Sequence, residues 1–159
     1  MQDIIRESAV PWRYYVESRK KLTGGKIIRT NKTPEAEFSE WIVFILFNGI
    51  RAINHSCKFY DVECQDKKIQ VKSVFKALGN NNGYKVSPKD KNNLEATHYA
   101  FVWFEHNFRK YIYLVEYSKI FSFTKSQISL ADLSKMGEKI QFDPEVFSEE
   151  LNSIPYSSL

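Results

Sequence analysis

Cysteine is scarce: Cys57 and Cys64 are the only two in 159 residues. That excludes a disulfide framework, and the absence of any Cys-x-x-Cys spacing gives no support for a zinc site. The three histidines, His55, His98 and His106, are scattered and read as loop or strand-end residues. Glycine is rare too, with six in the chain, and none sits in a phosphate-cradling glycine loop of the Walker or dinucleotide type. The longest hydrophobic run, Trp41 to Phe47, is far short of the roughly 20 residues that span a bilayer. The first ten residues carry charges where a secretory segment would be apolar. A soluble, cytoplasmic protein without a membrane partner is expected. No internal repeat, low-complexity tract or linker interrupts the chain.

What is present is a core-forming composition. Hydrophobic residues make up 43% and aromatics 15%, which argues against disorder because aromatic rings bury large areas. The length fits one domain. Net charge is only +4, but it is unevenly spread. Asp66 to Lys91 holds seven lysines and two acids, a surplus of +5, whereas Phe142 to Glu150 holds four acids and no base. A lysine-rich window around a loop suits a polyanion-binding edge, and it equally suits a solvated surface.

Residues 1–22 read as a helix, with Pro11 obscuring its start and Thr23-Gly24-Gly25 ending it. Lys26–Thr30 reads as a short strand or a loop. Thr33-Pro34 is a helix-start signal, and the acids that follow sit where the helix dipole favours them. Asn48-Gly49 closes this second helix. Strands are expected at IRAIN, KFYDVEC, KIQVKSVF, THYAFVWFE and KYIYLVEY, which are rich in β-branched and aromatic residues. Tyr99, Phe101 and Trp103 read as one side of a buried strand. Leu78–Gly83 is a loop, Ser87-Pro88 with Asp90 starts one helical turn, and short helices are expected near 128–136 and 144–151. The order is that of an α/β or α+β protein with a central mixed β-sheet, a β-hairpin and flanking helices.

The two strands around Gln65-Asp66-Lys67 form the hairpin. With its turn between Gln65 and Asp66, paired positions sum to 131, so Asp61 faces Gln70, Glu63 faces Lys68 and Phe59 faces Lys72. Opposed residues share a sheet face, as do residues two apart. Asp61, Glu63, Gln70 and Lys72 then share one face, while Tyr60, Val62, Ile69 and Val71 point to the core. A one-residue slip would reverse this. A carboxylate, a second oxygen donor and a lysine on one face suit phosphodiester hydrolysis. The carboxylate holds a hard cation such as Mg²⁺ (or Mn²⁺), which polarises the phosphate and activates water; the lysine stabilises developing negative charge.

At these residues the sequence resembles the PD-(D/E)xK nuclease superfamily, whose motif is an Asp on one strand and (Glu or Asp)-x-Lys on the next: here Asp61, then Gln70-Val71-Lys72. The resemblance covers roughly Thr33 to Tyr117. It implies a restriction-endonuclease-like core of about 33–117 in a single domain, 1–159, with an N-terminal helix at 1–22 and a C-terminal helical segment at 125–155. It implies that Asp61, the Val71 carbonyl and Gln70 contact Mg²⁺, that Lys72 is the catalytic lysine, and that a helix acid assists: Glu37 first, Glu40 second. Gln70 stands where the family usually has an acid. An amide offers an oxygen but no charge, so metal affinity should be low, and Glu63 is a candidate to supply the missing charge.

The expected function is a Mg²⁺-dependent endonuclease acting on DNA. The alternative is a catalytically weak nuclease-like fold that only binds nucleic acid. Lys67, Lys68, Lys76, Lys85, Lys89 and Lys91 are the candidate phosphate contacts. Specificity is expected from loops such as Leu78–Lys91 and from homodimerisation. The same residues also admit plainer roles. Asp61 and Lys72 would make an exposed cross-strand pair worth under about 1 kcal/mol, and Glu37 and Glu40 would serve the helix dipole.

Overall fold

The structure, a computed structural model, describes residues 2–29, 33–52, 59–76, 83–105 and 110–141, with backbone alone for residues 2–8. They fall into two compact units, residues 2–29 and residues 33–141. The first unit is helix α1 (Gln2–Gly24) and the turn after it. The helix continues through Pro11, and Lys26, at φ 57, reverses the chain beyond Gly25. Residues 26–29 form no strand.

The second unit opens with α2 (Pro34–Leu46). Thr33 is its N-cap residue, Pro34 takes the first helical position, and Glu35 and Glu37 lie in the first turn. Asn48, at φ 46, ends it in the left-handed region that Asn tolerates better than most residues. The chain continues through β1 (Ile50–Arg51), β2 (Val62–Cys64), β3 (Lys67–Phe75), β4 (Tyr84–Lys85) and α3 (Pro88–Lys91). Next are β5 (His98–Phe104), β6 (Lys110–Glu116), α4 (Tyr117–Ser122), β7 (Gln127–Ile128), α5 (Leu130–Met136) and β8 (Glu138–Lys139). Six strands form one mixed sheet in the order β1-β2-β3-β5-β6-β8. Every neighbouring pair is antiparallel except β3 and β5, which run parallel. β4 and β7 make a separate two-stranded ribbon. The α/β architecture with a central mixed sheet and flanking helices is as the residue order implied.

The sheet divides the core in two. Ile69, Val71, Val62, Ala100, Val102, Ile112 and Leu114 are buried on one face, where Phe38 of α2 meets Phe104, which stacks on Phe75. Tyr99, Phe101, Trp103, Tyr113 and Val115 occupy the other face with Val74, Ile120, Ile128 and Leu133. The stripe Tyr99, Phe101, Trp103 is therefore one side of a buried strand, as read. Two Ser-x-x-Asp capping boxes fix the short helices on this second side: Ser87 with Asp90 for α3, and Ser129 with Asp132 for α5.

The β2–β3 register is the expected one: Val62 pairs with Ile69, Glu63 with Lys68 and Cys64 with Lys67. Gln65 makes the tight turn at φ 47. One part of the reading fails. The Asp61 N–H donates to the Ile69 carbonyl, which Val62 already faces, so the ladder slips by one residue there. Tyr60 consequently leaves the core-facing set. Its hydroxyl donates to Glu63 at 3.0 Å, and the Lys68 ammonium lies 5.2 Å from its ring. Strand β2 is also shorter than KFYDVEC, so Phe59 does not pair with Lys72. Helix α4, which no sequence signal marked, follows β6 directly. The expected helix near 144–151, Cys57, His55, His106 and the loop residues 78–82 lie outside the described residues.

Candidate functional site

The site grows from the slip at Asp61. Along β3, alternate residues send their backbone groups to the same side. The Ile69 carbonyl accepts from Asp61, so the Val71 N–H points toward β2 as well, past the end of that strand. The Asp61 carboxylate fills the vacancy: its Oδ2 accepts from the Val71 N–H at 2.7 Å and also from Gln70 Nε2. Charge-assisted bonds of this kind are about twice as strong as neutral ones. Asp61, Gln70 and the Val71 backbone are thus brought together at one point on the hairpin.

Lys72 shares the sheet face of Gln70 but turns toward different partners. Its Nζ lies 3.1 Å from Asp90 Oδ1, 5.6 Å from the centre of the Tyr84 ring and 5.8 Å from that of Tyr99. The Asp90 side chain is buried, and the Lys72 side chain is 21% exposed. The other Asp90 oxygen, Oδ2, accepts from the Tyr84 hydroxyl at 2.9 Å and from the N–H and hydroxyl of Ser87, each at 2.8 Å. Burial pushes the Asp90 carboxyl up, but the Ser87 hydrogen bonds and the Lys72 charge outweigh it and hold the group below its ordinary 3.8. Burial, then the Asp90 charge, pushes the Tyr84 phenol well above its ordinary range; burial does the same to Tyr99. Both phenols are therefore neutral hydrogen-bond donors, and Tyr99 donates to the Asp90 carbonyl at 3.0 Å.

The other sequence candidates lie apart from this cluster or are differently engaged. Glu40 pairs with Arg51 at 3.4 Å, and the same guanidinium donates to the Glu37 carbonyl at 3.2 Å. Glu37 is buried on α2, whose Phe38 packs on the sheet face opposite to that of Gln70 and Lys72. Glu63 is exposed and accepts from Tyr60. Among the described residues, no three His, Cys, Asp or Glu side chains converge as a metal cage. Of the six lysines expected to meet phosphate, Lys67 pairs with Asp66 at 3.0 Å and Lys76 with Glu105 at 3.1 Å. Lys91 donates to the Phe123 carbonyl at 2.6 Å, and Lys68 lies over Tyr60. Lys85 on β4 and Lys89 on α3 are exposed, one two residues before Ser87 and the other next to Asp90 in the chain.

Neither a family model nor a curated protein matches this sequence. The chemistry therefore rests on the geometry alone. Sequence reasoning marked Ser87-Pro88 and Asp90 as a helix start but missed Asp90 as the partner of Lys72, and missed Tyr84 and Tyr99 as its walls. One signal was available. An Asp at the third position of a capping box has one oxygen committed to the helix end, which leaves the other for a cation.

Proposed function

We propose that the chain is a divalent-cation-dependent endonuclease acting on DNA, with a restriction-endonuclease-like core. The observation that carries this reading is the Asp61 carboxylate meeting Gln70 and the Val71 backbone on the hairpin face that also bears Lys72. The candidate ligand atoms are oxygens, which suits Mg²⁺ or Mn²⁺, and because Gln70 presents its nitrogen to Asp61 the amide would turn over on binding the cation. Mg²⁺ is commonly held by one or two carboxylates together with substrate phosphates, so a single carboxylate fits a site that the substrate completes. Asp61 would supply the charge, with the Gln70 amide oxygen and the Val71 carbonyl as neutral donors. When bound, the cation polarises the phosphate and lowers the pKa of water. Asp61 orients these donors through its hold on the Val71 N–H. Lys72 stabilises negative charge on the phosphate by exchanging part of its contact with Asp90 for the substrate.

The test is cleavage of plasmid and oligonucleotide DNA with Mg²⁺ or Mn²⁺, comparing the native chain with Asp61→Ala and Lys72→Ala. Loss of cleavage in both variants is expected, and cleavage that survives both would overturn the assignment. A second reading, a nuclease-like fold that binds nucleic acid without cutting it, is favoured by a specific observation. Gln70 brings no charge, and the Lys72 ammonium is already ion-paired to a buried carboxylate. It predicts a gel shift in both the presence and absence of Mg²⁺, with no products.

A further inference from the structure

Helix α1 carries an exposed ladder that the hairpin site does not use. Trp12, Tyr15 and Arg19 follow three- and four-residue spacing, so they lie on one stripe of the helix. The Trp12 and Tyr15 rings are 5.4 Å apart at 31°. The Arg19 guanidinium lies 5.6 Å from the Tyr15 ring centre and donates to its hydroxyl at 2.8 Å. Large rings in this setting are usually covered, yet Trp12 is 65% exposed and Tyr15 45%. Arg13 and Lys20 lie about a quarter turn round the helix from this stripe, and both are exposed. From Trp12 to Lys26 the chain has five basic residues and one acid, Glu17, which Arg13 pairs at 2.9 Å.

We propose that this stripe of α1 is a binding surface for single-stranded nucleic acid. Trp12 and Tyr15 offer faces on which unpaired bases stack, Arg19 extends the stack with a planar cation, and Arg13 and Lys20 meet the phosphates. Duplex DNA keeps its base faces inside the stack and can use only the cations. A lipid surface fits less well, because an interfacial helix needs a broad apolar face, and this stripe offers two rings that end in the cation of Arg19. This binding belongs to α1 and does not depend on the hairpin activity.

The experiment is a fluorescence anisotropy titration of the full chain with a labelled 15-nucleotide thymidine oligomer, its RNA counterpart and a matched duplex, at low salt without divalent cations. Tighter binding of the single strands than of the duplex is expected. Trp12→Ala should weaken single-strand binding by about 5- to 100-fold, while Trp12→Phe retains most of it. Circular dichroism checks that α1 persists in both. Equal affinity for duplex and single strand, or an unchanged affinity in Trp12→Ala, would overturn the proposal. So would binding to phosphatidylserine vesicles that depends on Trp12 while oligomer binding does not. Cleavage of the same oligomers with Mg²⁺ is assayed in parallel for the native chain and Trp12→Ala, so failure to cleave is read separately from failure to bind.

Discussion

Asp61 Oδ2 takes hydrogen bonds from Gln70 and Val71 together, so the residue at position 70 is a donor to that carboxylate. Gln70→Glu removes that donor and puts a second negative charge beside the first. Without a cation the variant should melt below the native chain. With Mg²⁺ present the cation offsets the repulsion, so its melting temperature should rise by more than that of the native chain, through mass action on the folded state. Calorimetric titration should show tighter divalent binding. A low melting temperature that Mg²⁺ does not restore would mean that Asp61 and residue 70 share no cation. At Asp90 the sign is set by a carboxyl held below its ordinary 3.8. Its contribution is complete above that value and is lost as pH falls through the lower, folded-state value. Asp90→Asn should cost about 2–3 kcal/mol at neutral pH, somewhat under the range for a wholly buried pair because Lys72 is partly exposed. Its stability should also fall less than the native chain's between pH 4 and lower values, as measured by urea unfolding at each pH.

At the scale of elements, the hairpin was the most legible part of the chain. A tight turn at Gln65-Asp66 leaves one register in which Val62, Ile69 and Val71 all reach the core, and that register is present. The slip at Asp61 was not legible, because a bulge depends on where the strand leaves the sheet rather than on local composition. Asp90 lies 18 positions from Lys72, and nothing local ties the two. Strands β4 and β7 have two residues each, too few to show alternation. Gly49 shows how closely elements approach here. A Cβ at this position would lie 2.8 Å from the Glu63 carbonyl oxygen and 2.8 Å from Val62 Cγ1. Gly49→Ala should therefore push β1 away from β2 and cost about 1–3 kcal/mol, read as a lower midpoint in denaturant unfolding.

At the scale of the whole molecule, the lysine surplus is less available than its count suggests. Several of its members hold carboxylates or carbonyls of the fold, whereas Lys85 and Lys89 are exposed. If DNA meets this edge, the double variant Lys85→Ala/Lys89→Ala should reduce the slope of log affinity against log salt by about 2. Lys76→Ala should change it less and chiefly lower stability. A slope untouched by the double variant would move the DNA contact elsewhere. No helix among the described residues is long and apolar enough to cross a membrane.

The parallel pairing of β3 with β5 has a consequence for how the chain reaches this state. The β2–β3 hairpin closes a two-residue loop and can form on a microsecond timescale. Ile69 meets His98 only after 28 intervening residues have been looped back, at a much larger entropic cost before any contact repays it. Asp90 rides on that returning segment. The Asp61 half of the site can thus assemble with the hairpin, whereas the Lys72–Asp90 pair must wait for the sheet to close. Early in folding the lysine is a solvated cation beside a finished carboxylate, and it acquires its buried partner in the slow, non-local step.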